Sequence, residues 1–295
     1  MSAYKEVSPS KNIYAVFDNL VSYLTVSSTF IAINAALLSY FSFMVYDINP
    51  NPSLLFAAFL MTFTIYNLNK LTDIKEDSIN LPERAGFIGR NKKLIAYAIV
   101  ISYVAALFLS FLQDRLAIFV VLFPMLIGVV YSIRISHFRL KDIVGIKNIV
   151  IALSWAVAGS FLPLAVSSRN SIHIMSTFYF FFIRVFIGSI AFDIRDIEGD
   201  RESGVRTIPV VFGRERTKNL LLVLNSTLIP WLLISYLSGF SHRYLFVFIF
   251  SILYGYCYIL HFCKEGLKIG RSLDLLVDGE WIPVVIFARL CPYVR

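Results

Sequence analysis

Charge is scarce in this chain. Asp, Glu, Lys and Arg together make up 16% of its 295 residues, where a soluble globular domain carries about 25%. That deficit excludes an ordinary water-soluble fold. Cysteine is scarce too: Cys257, Cys263 and Cys291 form no C-x-x-C pair, which excludes a disulfide framework and a cysteine-based metal motif. Lying in or beside apolar runs, they read as buried thiols. The four histidines, His137, His173, His242 and His261, show no ligand spacing. There is no low-complexity linker, and no small-residue cleavage signature follows the polar stretch Met1 to Asn12, so no removable signal peptide is expected. Basic residues outnumber acidic ones, giving a net charge of +8. In so apolar a chain this excess reports topology and contact with anionic lipid or ligand, with no need of a nucleic-acid partner.

What fills the chain is long apolar runs. The hydrophobic fraction is 58% and the mean hydropathy is +0.72. The runs are long enough for membrane helices rather than barrel strands. Nine spans are predicted, at roughly 20–46, 53–75, 93–112, 115–135, 148–167, 172–195, 218–238, 243–263 and 273–291. The ninth is interrupted by Asp274, Asp278, Glu280 and Pro283. Most of the 27 basic residues fall before the first span or in the connections after spans two, four, six and eight. By the positive-inside tendency, those connections and the N-terminus face the cytoplasm, and the C-terminus lies outside. The expectation is an all-α integral protein of the cell membrane, one domain over residues 1–295, with the long connections 78–92 and 197–216 folded as cytoplasmic caps.

Two of the spans end in acid. Asn69, Asp73 and Asp77 close the second at i, i+4, i+8, and Asp193, Asp196 and Asp200 close the sixth at i, i+3, i+7. Each set forms one stripe on a continuous helix. Carboxylates on membrane helices are costly and mark function, and so many anions packed together repel unless a cation neutralises them. Hard oxygen donors favour Mg²⁺, which keeps waters and binds one or two carboxylates together with substrate phosphates. With Arg and Lys alongside, the pattern reads as a diphosphate site.

Asn69-x-x-x-Asp73-x-x-x-Asp77 followed by Asn80-x-Pro82-x-Arg84 resembles the first signature of the UbiA superfamily of intramembrane prenyltransferases. Asp193-x-x-Asp196-x-x-Gly199-Asp200-Arg201-x-x-Gly204, running on to Thr207-Ile208-Pro209-Val210 and Gly213, resembles the second. The nine-span pattern fits the same bundle. The resemblance implies Mg²⁺-dependent condensation of an isoprenoid diphosphate with a hydrophobic acceptor, often aromatic, in quinone-type or archaeal-lipid-type biosynthesis. It further implies that Asn69, Asp73, Asp77, Asp193, Asp196 and Asp200 hold the metal and diphosphate. Lys70 follows Asn69 where some members carry a further acidic ligand, so that ligand is absent here.

The chemistry expected is ionisation of the allylic C–O bond in a water-excluded pocket. Asp73 and Asp196 are the catalytic acids of the metal site. Tyr131, at the end of the fourth span, is the candidate for stabilising the carbocation through its π face. Arg84, Arg134, Lys141, Lys147 and Arg201 are the candidate diphosphate cations. The segment Phe178 to Phe182 reads as packing and lipid contact. The rival reading is a cation-coupled transporter, which also places carboxylates on membrane helices; against it, these acids lie at span ends rather than mid-span.

Overall fold

A computed structural model describes residues 19–72, 74–132, 143–202, 204–267 and 269–290. Among these residues every regular element is helical. The first span is broken: α1 (Asn19–Val26) meets α2 (Thr29–Val45) at 73°. The sequence Thr25-Val26-Ser27-Ser28-Thr29 causes the break. Thr25 Oγ1 donates back to Val21 O and Ser22 O, Ser27 Oγ donates to Leu24 O, and such back-bonding competes with the helical ladder. Ser28 then takes a left-handed conformation, φ 63°. The carbonyls freed there are not left bare. Lys70 Nζ donates to Thr25 O at 3.0 Å and to Val26 O at 2.9 Å, and Asn67 Nδ2 donates to Ser27 O at 3.1 Å. Non-helical backbone at membrane depth survives where protein satisfies it in this way.

Those two side chains come from α3 (Pro52–Thr72), which starts with Pro at its first turn and Asn51 Oδ1 accepting from Leu54 N at 3.2 Å. It is followed by α4 (Ile74–Asn80) and, after Leu81, by α5 (Pro82–Arg90), again opened by proline. α6 (Lys92–Phe111) presents Leu94, Tyr97, Ile101, Val104, Phe108 and Phe111 outward. Their alternating spacing of three and four makes one apolar stripe, the face of a helix solvated by lipid. α7 (Arg115–Ser132) precedes α8 (Ile146–Phe161), which runs on through a 3₁₀ turn to Ala165.

The central column is α9 (Ser171–Arg195), capped by Asn170, whose side chain accepts from Ile172 N. It packs most extensively against α8. Gly159 permits that approach: a Cβ there would lie 2.6 Å from Phe181 Cδ2 and would also overlap Leu38. Small residues at such crossings let membrane helices come close. Beyond α9 come α10 (Ile197–Glu202), α11 (Ile208–Phe212), α12 (Arg214–Ser226), α13 (Leu228–Leu237) and α14 (Leu245–Phe262). Phe180 stacks on Trp231 at 5.1 Å and meets Phe248 edge-on at 5.0 Å, while Phe181 meets Trp281 at 5.3 Å. Phe178, Phe182 and Phe186 stack in a row on another face of α9. The phenylalanine run is therefore packing, as expected.

By length and composition the described residues hold six helices that can cross a membrane, seven if the bent α1–α2 pair is one span. The predicted fourth span corresponds to α7, whose apolar part Arg115–Gly128 is shorter than the others. The predicted ninth is interrupted at its charges, as α15 (Ser272–Leu276), a 3₁₀ turn Asp278–Glu280 and α16 (Trp281–Leu290). One thiol expectation needs correcting. Cys263 is buried, but Cys257 is exposed on the outward face of α14, where an apolar surround is lipid rather than protein core.

Candidate active site

A cavity of about 230 Å³ is lined by the α1–α2 break, α3, α4, α5, α8, α9 and the α15–α16 segment. Asn69, Asp77, Asp193 and Asp196 all line it, so the two acidic sets converge although more than a hundred residues separate them. Apolar walls continue the cavity through Phe30, Ile151, Val185 and Trp281. Along α9 the lining extends from Asp196 back to Arg184, roughly 18 Å at 1.5 Å per residue.

Each of the three motif acids in the cavity carries a cationic partner. Arg84, returned toward α4 by the turn at Leu81-Pro82, grips Asp77 with Nε on Oδ2 at 2.9 Å and Nη2 on Oδ1. Lys147 Nζ donates to Asp193 Oδ1 at 2.9 Å, and Asn148 Nδ2 donates to Asp193 Oδ2 at 2.8 Å. Both donors stand at the start of α8, and Asp193 is fully buried between them. Arg195 donates to both oxygens of Asp196, at 2.8 and 3.2 Å, and reaches Asp274 Oδ1 at 3.3 Å. The guanidinium also lies over the Phe192 ring at 5.0 Å.

Asp200 departs from the expected stripe. α9 ends at Arg195 and α10 starts at Ile197, so the i, i+7 relation to Asp193 is not kept on one helix. Asp200 does not line the cavity. It is 8% exposed, and its Oδ2 is buried without a hydrogen-bond partner among the described residues. Burial pushes its carboxyl up to about 6, with Asp193 and Asp196 adding to the effect and Lys147 opposing it. Arg201 is exposed and outside the cavity lining. Asp73, Arg134 and Lys141 lie outside the described residues, and the side chain of Tyr131 does too.

The cavity also holds charges that the sequence reading did not assign to a site. Asp274, Asp278 and Glu280 line it, as do Lys70 and Arg195. Deeper still, Arg184 and Glu280 form an ion pair, 0% and 3% exposed. Arg184 Nη1 donates to Asn225 Oδ1 at 3.1 Å, and its guanidinium lies 5.3 Å from the Tyr258 ring centre. The signal was present, since a charge within an apolar run is a functional marker in its own right.

The donor set suits Mg²⁺. All candidate ligands are carboxylate or amide oxygens, and Asp200 adds an orphaned oxygen beside them. Among the described residues no three acids are close enough to cage an ion alone. That matches a metal held by one or two carboxylates and completed by phosphate oxygens and water.

A helical membrane bundle with a cavity headed by paired carboxylates and cations, and walled by apolar side chains, has the make-up of an intramembrane site for a polar head on an apolar tail. A sequence profile of the UbiA prenyltransferase family matches residues 22–267. The digeranylgeranylglyceryl phosphate synthase of Sulfolobus acidocaldarius is 30% identical over 212 residues, covering 70% of this chain and 74% of that protein. The protein of the same name from Methanosphaera stadtmanae is 26% identical over 238 residues, covering 78% and 84%. In structure, a UbiA homolog from Archaeoglobus fulgidus bound to DMAPP and Mg²⁺ superposes with a TM-score of 0.66 at 18% identity, over 92% of this chain and 99% of that one. The chain belongs to the UbiA prenyltransferase family and is an integral membrane prenyltransferase.

Proposed function

We propose that this protein transfers a prenyl group from an isoprenoid diphosphate to the free hydroxyl of a prenylated glyceryl phosphate, at the cytoplasmic face of the cell membrane. The acceptor class is supported by the two digeranylgeranylglyceryl phosphate synthases it resembles. The observation that carries the reaction is the convergence of Asp77, Asp193 and Asp196, each with a cation, on one half-apolar cavity. The relatives reported above are named as synthases and not as transporters. The orientation follows the distribution of basic residues, with nine spans in a single domain and the helices α4, α5, α10 and α11 as caps. In favour of the caps, α4 touches α10, and Arg271 Nη2 donates to Glu83 Oε2 on α5 at 2.7 Å.

Asn69, Asp73, Asp77, Asp193 and Asp196 would hold Mg²⁺, with Asp200 at the rim. When bound, that ion neutralises charge building on the departing diphosphate. Arg84 and Lys147 are the cations best placed to turn from carboxylate to diphosphate oxygens, and Arg134, Lys141 and Arg201 supply further charge from the connecting segments. The apolar walls keep water from the allylic cation. Tyr131 is the aromatic stabiliser in this reading of the reaction, and Tyr66 and Trp155 line the cavity itself. Trp155 Nε1 donates to Tyr66 Oη at 3.3 Å and fixes the pair edge to face. The cavity is smaller than the ~300–1,000 Å³ of a typical small-molecule pocket, so a long isoprenoid tail runs out between the helices.

The test is a transfer assay in lipid bilayers with geranylgeranyl diphosphate, with and without Mg²⁺. The acceptors are geranylgeranylglyceryl phosphate and, in parallel, a hydroxylated aromatic acid. The expected result is Mg²⁺-dependent transfer to the glyceryl phosphate. Transfer to the aromatic acid alone would overturn the acceptor, and no consumption of the diphosphate with either would overturn the reaction.

A further inference from the structure

Ether formation from a hydroxyl releases a proton, and the cavity must pass that proton on. Six carboxylates line the cavity: Asp77, Asp193, Asp196, Asp274, Asp278 and Glu280. Five are engaged. Arg84 holds Asp77, Lys147 and Asn148 hold Asp193, and Arg195 holds Asp196 and Asp274. Arg184 holds Glu280. Asp278 alone has no hydrogen bond and no ion pair among the described residues. The charged groups that bear on it are Asp274, Arg195, Lys70 and Glu280. Neither cation closes on it, because Arg195 is taken by two other carboxylates and Lys70 by the carbonyls of the α1–α2 break.

The backbone that carries Asp278 is fixed on three sides. A Cβ on the next residue, Gly279, would stand 2.9 Å from Phe30 Cζ of α2. Val277, the residue before it, packs on Gly188 of α9, where a Cβ would be 3.1 Å from Val277 Cγ1. Glu280 is pinned by Arg184. A rigid turn thus holds one uncommitted carboxylate in a cavity whose other acids are neutralised. Such pre-positioning is what a general base requires. A carboxylate serving only to end a helix would lie in a cap hydrogen bond or in solvent.

We propose that Asp278 is the acceptor-side base of this cavity, the residue that receives the proton of the acceptor's hydroxyl. The inference rests on the prenyl-transfer reading above and adds the acceptor's half of the site. The C1–O bond of the prenyl diphosphate breaks, and its electron pair leaves with the diphosphate. A lone pair of the hydroxyl oxygen forms the new C1–O ether bond. The O–H bonding pair stays on that oxygen, and the proton passes to the Asp278 carboxylate, then to water as product leaves. The two chemistries are then divided between walls: leaving-group acids and cations on α3, α4, α5, α8 and the end of α9, and proton acceptance on the turn before α16.

The experiment compares Asp278→Asn and Asp278→Glu with the unaltered protein in bilayers. Geranylgeranyl diphosphate, Mg²⁺ and saturating geranylgeranylglyceryl phosphate are supplied, and both the ether product and free geranylgeraniol are measured. Loss of a general base costs ~10²–10⁴ in rate. Asp278→Asn is expected to lose at least 10²-fold in ether formation, and a larger share of the prenyl group should appear as the alcohol, since water then competes for the cation. Its Mg²⁺-dependent thermal stabilisation by the diphosphate should be unchanged, which also shows that the variant is folded. Asp278→Glu should recover part of the ether formation. Two results would overturn the assignment: near-normal ether formation by Asp278→Asn, or loss of its Mg²⁺-dependent stabilisation, which would make Asp278 a metal–diphosphate ligand instead. If the unaltered protein neither binds nor consumes the diphosphate, the prenyl-transfer reading itself fails, and this inference with it.

Discussion

Replacing Glu280 by Gln tests the deepest charge of the bundle. Arg184 sits midway along α9 with no exposed surface, and Glu280 is its ion-pair partner. After the change only neutral acceptors face the guanidinium, the new amide oxygen at position 280 and Asn225 Oδ1 at 3.1 Å, together with the face of Tyr258. Arg184 Nε already has no partner among the described residues. Stripping one member from a buried ion pair costs ~3–5 kcal/mol, because the other charge is left uncompensated. The pair borders the cavity, so water softens the loss and the lower end applies. At about 2–4 °C per kcal/mol for a large domain, the unfolding temperature should fall by roughly 6–12 °C. The assay is thermal unfolding in detergent. The companion is the double variant Arg184→Met with Glu280→Gln, which removes both charges and should unfold at a higher temperature than Glu280→Gln alone. A Glu280→Gln protein that melts with the unaltered one, or a double variant that melts below Glu280→Gln, would refute the reasoning.

Two further outcomes follow from packing and titration. Gly159→Ala should destabilise the protein by ~1–3 kcal/mol, because its Cβ would overlap Phe181 and Leu38, both essentially fully buried; an unchanged unfolding temperature would mean that α8 and α9 do not approach so closely. Asp200 has its carboxyl raised from 3.8 to about 6, so the folded state holds its proton more tightly than the unfolded state does. Its contribution to stability is full below pH 4 and is lost as pH rises through about 6. Metal-free Asp200→Asn should therefore be more stable than the unaltered protein above pH 6, and thermal unfolding across pH 4–7 measures the difference.

Much of this architecture could be read from residues alone, and the exceptions share a cause. Apolar run length located α3, α6, α8, α9 and α14, because a membrane helix must be apolar for its full thickness. The two acidic spacings found Asn69, Asp77, Asp193 and Asp196, and the first motif's Arg84 proved to be Asp77's partner. Asp200 was misplaced because its periodicity was counted across the break between α9 and α10. The same assumption of continuity hid the α1–α2 bend, where serine and threonine back-bonding and Lys70 take over from the helix. It also made Asp274, Asp278 and Glu280 look like defects in a ninth span when they wall the cavity. Pairings such as Lys147 with Asp193, 46 residues apart, or Arg184 with Glu280, 96 apart, depend on how helices pack and leave no local pattern.

The central claim is that the two acidic motifs act together on one metal–diphosphate unit. Its most direct measurement is Mg²⁺-dependent prenyl transfer by Asp73→Asn, Asp196→Asn and their double variant, alongside thermal unfolding. Each single change should lower turnover by ~10²–10³, as loss of one such electrostatic contact does. The double variant should be scarcely worse than either, since both disable the same unit. Folding should survive, because Arg195 keeps Asp274 when Asp196 loses its charge. Near-normal transfer by either single variant at saturating Mg²⁺, or losses that multiply in the double variant, would contradict a shared site.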